Sequence, residues 1–392
     1  MLIWIQSPFD NLPQEGYRHE RYFLMAEAFI AAGHEVVYWT TDFNHGTKAR
    51  RLGVKDATDT NGIHLRLIAV PAYVNNVSLR RIFSHCIYAR RLANAAKLAA
   101  NERQPDLVIS ATPTLGAAEV MRRLAGRCGA KFVIDLQDAW PETFYRLLPC
   151  GLRWLGRILL AGMHLTARRL YAEANFVTGV SERYRAIAAR PDFYLAYHGV
   201  AFHPQHSTAT IPLVARPTSL LYLGNLGAGY DLETVIKAVA ASPRLTLDIA
   251  GLGPKESALK EKVRLLGLEK RVRFHGYLHA DALAALAETC EVGVIPMRDD
   301  SWVGLTYKLG DYLSAGLRVV SSLHGECGAF LAREHLGAVY DFGSPESLLA
   351  ALDALVELPA DKKNLPEALR ADCIYPKYVA FVTSSAKTCP ST

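Results

Sequence analysis

Two α/β domains, each a doubly wound parallel sheet, are the fold class this chain predicts, and three observations predict it. Short apolar runs alternate with helical patterns from one end to the other. The alternation comes in two series, divided by a stretch without periodicity. A length of 392 residues exceeds the usual size of one domain.

The strands expected in the first series are LIWIQ (2–6), EVVYWTT (35–41), DLVISAT (106–112), KFVIDLQD (131–138) and NFVTGVS (175–181). Between the first two, Tyr22, Met25, Ala26 and Phe29 repeat at i, i+3, i+4, i+7, the stripe of a helix that Gly33 ends. The second series holds SLLYLG (219–224), LTLDIAG (245–251), RVRFHGY (271–277), EVGVIPM (291–297) and RVVSS (318–322). The dividing stretch, HGVAFHPQHSTATIPLVARP (198–217), is rich in Pro, Thr and His. A linker at 199–217 is therefore expected, with domains at 1–198 and 218–372. In the remaining segment, 373–392, YPKYVAFV is apolar enough to dock back on a domain. Ligands of such sheets bind beyond the C-terminal strand ends, so two facing sheets would form a cleft.

Composition narrows the class. Half the residues are hydrophobic and 21% charged, which fits a globular protein, and no apolar run approaches the ~18–20 residues that span a bilayer. MLIWIQSPFD lacks a basic n-region and reads as a first strand, not a signal peptide. Seven cysteines without a CxxC pair argue against a metal or disulfide framework and for a cytoplasmic protein. The net charge of +6 is uneven, because residues 1–200 carry the positive excess and the remainder is slightly acidic. Arginine doublets recur in the basic half: Arg50-Arg51, Arg80-Arg81, Arg90-Arg91, Arg122-Arg123 and Arg168-Arg169. Nucleic-acid motifs are missing, so an anionic membrane surface or a phosphorylated acceptor is the expected partner, and no nucleic acid.

The most informative segment is GLTYKLGDYLSAGLRVVSSLHGE (304–326). It predicts a helix starting near Leu305 or Thr306, a glycine stop at Gly316, a buried strand and a polar loop. Lys308 and Asp311 share one face. Lysine and helix N-terminus suit a diphosphate, and the carboxylate suits ribose hydroxyls. The plainer alternative is a surface helix with one i,i+3 ion pair. Three further loops have the right character. YLGNLGAGYD (222–231) brings Gly224, Gly227 and Gly229, DIAGLGP (248–254) brings Gly251 and Gly253, and FHGY (274–277) ends a strand at His275, Gly276 and Tyr277. In the first half, SPFDNLPQEGYRHERYF (7–23) is a long loop carrying Gly16, Tyr17, Arg18 and His19. VIDLQDAWPETF (133–144) puts Asp135 inward and Asp138 at a strand end, with Trp140 and Glu142 beyond. Asp138 is placed either for chemistry or to cap the next helix. Asp299-Asp300 reads as solvated turn chemistry, and His198, His203 and His206 as solvated linker residues. In 144–171, Leu152, Leu155, Ile158, Leu159 and Met163 interleave with Arg153, Arg157, Arg168 and Arg169. That pattern suits a basic amphipathic helix on a membrane, or equally a helix packed on the sheet with its arginines outward.

These motifs, in this order, resemble the GT-B glycosyltransferases of family 4, over nearly the whole chain. GHEV (33–36), GNLGAGYD, AGLGP, VRFHGY and VGVIPM follow that family's two Rossmann-like domains, and DLQDAWPE with YKLGDYLSAGLRVVSSLHGE looks like its bacterial capsular, O-antigen and exopolysaccharide branch. The resemblance implies a retaining transfer of sugar from a nucleoside diphosphate sugar to a polyprenyl-linked saccharide, without a metal or other cofactor. It implies peripheral association with the inner face of the cytoplasmic membrane. Two glutamates usually stand eight positions apart in the family. The second falls on Asp311 and the first on Val303; the usual diphosphate-holding Arg and Lys fall on Asn225 and Tyr230, and a usual histidine on Gln137. The resemblance thus directs the catalytic role to Asp138, Lys308 and Glu326. It directs the nucleotide to Gly224, Asn225, Gly227, Tyr230, Gly251, Gly253, His275, Gly276, Tyr277, Arg298, Thr306, Lys308 and Asp311. The acceptor falls to Gly16, Tyr17, Arg18, His19, Trp140 and Glu142. A nucleotide-sugar epimerase, or a non-catalytic partner that binds the nucleotide sugar, is the alternative.

Overall fold

In the computed structural model all ten of the apolar runs form strands of parallel sheet. The structure describes every residue except 17, 52–56, 59–60, 76–77, 148–150, 152, 202–216, 299–301, 360–364 and 385–392. Tyr17, Leu152, His203, His206, Asp299, Asp300 and most of the expected linker therefore lie outside the described residues.

In chain order the first elements are β1 (Leu2–Gln6), α1 (Arg21–Ala31), β2 (Glu35–Thr41), β3 (Phe43–Asn44), β4 (Ala49–Arg50), β5 (Ala57–Thr58) and β6 (His64–Ile68). Next come α2 (Leu79–Glu102), β7 (Leu107–Ala111), α3 (Leu115–Cys128), β8 (Lys131–Leu136), α4 (Arg153–Leu159), α5 (Ala161–Glu173), β9 (Phe176–Gly179), α6 (Arg183–Ala188) and β10 (Tyr194–Leu195). The second series is β11 (Ser219–Leu223), α7 (Leu232–Ala241), β12 (Thr246–Ala250), α8 (Glu256–Leu265), β13 (Val272–Gly276), α9 (Ala280–Ala287) and β14 (Val292–Ile295). It continues with α10 (Tyr307–Ser314), β15 (Arg318–Ser321), α11 (Glu326–Glu334), β16 (Gly337–Val339) and α12 (Pro345–Ala354), and the chain closes with α13 (Ala371–Thr383).

The chain divides into two units. The first is Met1–Gly199 together with the C-terminal segment from Ala371. Its sheet runs β10-β9-β8-β7-β1-β2-β6-β5, parallel except for β5, and its order reverses between β1 and β7. The predicted stripe of α1 is fully buried: Tyr22, Met25, Ala26 and Phe29 meet Ile3 and Ile5 of β1 on one side and Tyr375, Tyr378, Val379 and Val382 of α13 on the other. Thus YPKYVAFV supplies the outer wall of this unit's core.

The second unit, Val200–Arg370, carries a wholly parallel sheet in the order β13-β12-β11-β14-β15-β16. That is the dinucleotide-fold order, and its switch point lies between β11 and β14. These two strands pair only through Leu220 with Val292 and Leu221 with Gly293. Beyond that, buried Tyr312 bridges them: its hydroxyl accepts from Leu223 N at 2.9 Å and donates to Val294 O at 3.1 Å.

Three features differ from expectation. Strands β6 and β16, and the two-residue strands β3, β4, β5 and β10, are missing from the sequence reading. HLRLI alternates with polar residues, and GAV is only three residues long. The segment 144–171 is not one helix, because the chain turns at Leu160 between α4 and α5. His198 is half-buried, with its Nδ1 closed off from solvent. Burial, with Arg21 nearby, lowers its imidazole pKa to about 3.

Candidate functional site

In the second unit the loops at the switch point converge on one side chain. Thr306 caps α10, its hydroxyl accepting from Leu309 N at 3.3 Å. The apolar stripe Leu309–Leu313 then buries one side of α10 and leaves Lys308 and Asp311 on the partly open side. The Lys308 ammonium lies 4.1 Å from the centre of the Tyr230 ring and 5.5 Å from that of Tyr222. No hydrogen bond or ion pair joins it to another described residue, so the i,i+3 pair with Asp311 does not form. The nitrogen rests on aromatic faces, which attract a cation without neutralising it.

Glycine backbone surrounds this ammonium. Gly224 has φ 121°, and a Cβ there would stand 2.9 Å from Lys308 Nζ. Gly251 has φ 146°, and its Cβ would meet Gly224 O at 1.8 Å. Only glycine permits either position. Gly224 N donates to Ala250 O, and Gly251 N to Gly276 O, so the β11, β12 and β13 ends form one backbone surface. Asn225 and Tyr230 occupy it too, Asn225 O accepting from the Tyr222 hydroxyl at 2.7 Å and Tyr230 bridging to Met297. Gly227 packs against the Asn225 side chain, and Gly253 against Leu226.

The remaining predicted residues of this unit scatter around that centre. Tyr277 is half exposed at the end of β13, its ring against His279. Beside it His275 is held by the buried Asp248, with Nε2 2.6 Å from Oδ1, and Asp248 also takes a bidentate pair from the exposed Arg273. The sequence puts His275 at the nucleotide, and in the structure its ring is bonded to Asp248 of β12. Arg298 stacks over Phe342 at 5.5 Å, just past β16. Glu326 opens α11, directly after the β15 end. Val303 stands half-buried in the approach to α10.

In the first unit Asp135 is fully buried and receives Arg21 Nε at 2.8 Å, Arg21 NH2 at 2.9 Å, Tyr22 OH at 2.7 Å and Thr178 Oγ1 at 2.6 Å. Burial alone would raise its pKa, but Arg21 and the two hydroxyls outweigh it and hold the carboxyl below its ordinary value. Arg21, which the sequence reading overlooked, thereby locks α1 to the sheet.

Asp138 sits just past the β8 end. Burial raises its pKa, against the opposing Thr143 hydroxyl and the Arg81 charge. Thr143 Oγ1 donates to it at 3.2 Å, a side-chain bond, while Thr143 N donates to Ala139 O and not to the carboxylate. Around it stands a set of side chains that sequence reading missed, because they come from four separate loops and helices. Arg81 lies 5.2 Å over Trp140 and 5.5 Å over Phe9, and His85 is 5.7 Å from Trp140. His45 receives or donates a bond with Tyr73 at 2.6 Å. Burial and neighbouring cations lower both His45 and His85 to about 3, and bring Lys48 down to about 8.

The first loop is stitched in place. Leu12 N donates to Glu15, Asn11 N to Glu20, and Arg51 reaches Glu15 Oε2 at 2.7 Å and Asp10 O at 2.7 Å. Gly16 turns the chain there at φ 78°. Arg18 is exposed, and His19 is engaged by Glu27 at 2.6 Å. Glu142 lies 3.6 Å from His164. Among the described residues no group of three or more His, Cys, Asp or Glu gathers as a metal site.

Comparison with known proteins agrees with this architecture unit by unit. The family model of the Glycosyl transferase 4-like domain matches residues 20–203, and that of Glycosyl transferases group 1 matches residues 217–357. No curated protein matches the chain. Among solved structures, a sucrose-phosphate synthase from Thermosynechococcus elongatus is similar, at 15% identity over 98% of this chain and 100% of that one, with a TM-score of 0.70. HepE of Anabaena in complex with UDP follows at 16% identity, 98% and 99% coverage and 0.65. The lipopolysaccharide outer core galactosyltransferase WaaB stands at 16%, 98% and 99%, and 0.61. The chain is therefore a glycosyltransferase of the GT-B fold, with a 4-like domain in its first unit and a group 1 domain in its second.

Proposed function

We propose that this enzyme moves a sugar from a nucleoside diphosphate sugar to a lipid-linked saccharide acceptor in cell-surface polysaccharide synthesis. The observation that carries the donor side is Lys308, a cation without a carboxylate partner among the described residues, set beside glycine backbone at the switch point. The diphosphate lies against Lys308, the Gly224 loop and the first N–H groups of α10. Asp311 takes the ribose hydroxyls, and Gly276 and Tyr277 border the base. Glu326 contacts the donor sugar, in place of the family glutamate replaced by Val303. That Anabaena HepE is described in complex with UDP and with UDP-glucose supports a nucleotide-sugar ligand.

In the transfer the bond from the sugar's anomeric carbon to the diphosphate oxygen breaks, and a bond to an acceptor hydroxyl oxygen forms. Charge grows on the leaving diphosphate, where Lys308 and the α10 N–H groups stabilise it without a metal ion. Asp138, with its pKa raised by burial, accepts the acceptor's hydroxyl proton. Trp140, Glu142, Gly16, Arg18 and His19 border the acceptor. The configuration at the anomeric carbon is retained, and the enzyme works at the inner face of the cytoplasmic membrane. The description of WaaB as a lipopolysaccharide galactosyltransferase supports the polysaccharide reading.

Replacing Lys308 by Ala tests the donor side. The expected result is a fall of about 10²–10³ in kcat/KM, the size of a lost donor to developing charge. Unchanged kcat/KM removes Lys308 from the diphosphate. Full activity in excess chelator is expected as well, and its loss would overturn the metal-independent reading.

A further inference from the structure

The α4–α5 region holds a feature that sugar transfer at the switch point does not use. Only the end of α5 packs inward, through Ala167, Leu170 and Tyr171, while the apolar side chains of α4 and the first half of α5 stay open. Trp154 is 62% exposed, Ile158 63%, Leu159 71% and Leu165 64%, and the buried residue of α4 is Gly156. Beside them Arg153, Arg157 and Arg168 line a groove of about 630 Å³ with Tyr145, His164 and Leu165. Its size falls within the ~300–1,000 Å³ of small-ligand pockets. None of these three arginines has a hydrogen bond or ion pair to a described residue. Arg169 differs, since it turns to Glu119 of α3 at 3.9 Å. His164 is committed too, to the Tyr145 hydroxyl at 2.7 Å and to Glu142 at 3.6 Å.

An ordinary surface arginine finds a carboxylate or stays in water. Three without partners, converging on an apolar groove beside an exposed tryptophan, fit an anion that arrives with apolar surface. Side-chain contacts and one step along the chain lead from this groove to Trp140, two residues past Asp138. His85 and Arg81 reach Trp140, Trp140 meets Phe144 at 4.5 Å, and the adjacent Tyr145 bonds His164. The start of α2, at the other end of those contacts, also exposes Leu79, Ile82 and Phe83.

We propose that the groove between α4 and α5 binds the phosphate of a lipid at the bilayer surface, with Arg153, Arg157 and Arg168 on the phosphate and Trp154, Ile158 and Leu159 in the bilayer. The inference rests on the reading of the acceptor as lipid-linked, and it names the subsite that takes the carrier's phosphate. Saccharide borne on that phosphate would extend along Tyr145 and Phe144 toward Trp140 and Asp138.

The test is flotation of the full chain with phosphatidylcholine vesicles, with and without a few per cent of polyprenyl phosphate, in the presence or absence of excess inorganic pyrophosphate. The chain should float with polyprenyl phosphate vesicles and not with plain ones. The variant R153Q/R157Q/R168Q should lose roughly a hundredfold in partitioning, at the usual contribution of a cation near an anionic surface. W154S/I158S/L159S should lose binding as well. Wild-type flotation by the arginine variant overturns the proposal, as does wild-type indifference to polyprenyl phosphate. Complete release by pyrophosphate overturns it too, because the ligand is then a free phosphate. The arginine variant should keep its rise in melting temperature with nucleoside diphosphate, and K308A should float like wild type. Failure at the groove is thereby distinct from failure of the donor site.

Discussion

Lys308 and Tyr312 stand one helical turn apart on α10, and each answers to a different gap in the sheet. Lys308 faces the open side of the switch point, while Tyr312 closes its inner side by bonding both diverging strands. Tyr312→Phe keeps the ring and removes the bridge, leaving a buried N–H and C=O. A loss of about 1–3 kcal/mol is expected in denaturant unfolding of the second unit. Arg21→Met should cost more, about 3–5 kcal/mol, since it strands the fully buried Asp135 carboxylate. Histidine titration gives a further check. His45 and His85 have pKa values lowered in the fold from 6.5 to about 3, so the folded chain binds fewer protons than the unfolded chain in that range. Their contribution is present above pH ~6.5 and is lost as pH falls toward ~3. The double variant H45N/H85N should show a shallower acid loss of melting temperature than wild type, and an equal slope would contradict the burial of these rings.

At the scale of elements, the glycine turns are the parts that cannot be exchanged. Gly251→Ala places a Cβ against Gly224 O, so both nucleotide binding and the unit's stability should fall. Gly229→Ala in the neighbouring loop meets nothing within 4 Å and should leave both unchanged. Calorimetry of the two variants with nucleotide separates them. The same elements show what was legible in the sequence. Long apolar runs such as EVVYWTT declare a strand by themselves, and GLTYKLGDYLSAG declares a capped helix by its Thr306 and Gly316. Residues GAV of β16 have no such signal, because their strand character comes from pairing with β15. Nor could sequence place His45, His85, Arg81 and Phe9 together, since their meeting depends on how two loops and the start of α2 come together above one sheet. Sequence could not show the partner of His275 either, since Asp248 comes from the neighbouring strand.

At the scale of the whole molecule, the first unit is completed by the last helix of the chain. Tyr375, Tyr378, Val379 and Val382 of α13 are buried against α1, so chain termination before Ala371 removes one wall of that core. Such a truncation should yield a first unit that proteases cut readily, while the second unit keeps its nucleotide response. The charge follows the same division, with the basic excess in the half that holds Arg153, Arg157 and Arg168, which have no partner among the described residues. In the proposed function Lys308 and the glycine loops of the second unit hold a nucleoside diphosphate. Melting temperature with a panel of nucleoside diphosphates, UDP and GDP foremost, tests it most directly. A ligand at about 100 times its Kd adds about 2.7 kcal/mol, a rise easily seen. The account predicts a clear rise with one base and its loss in K308A. No rise with any of them would contradict it, and would leave the group around Lys308 without a diphosphate to hold.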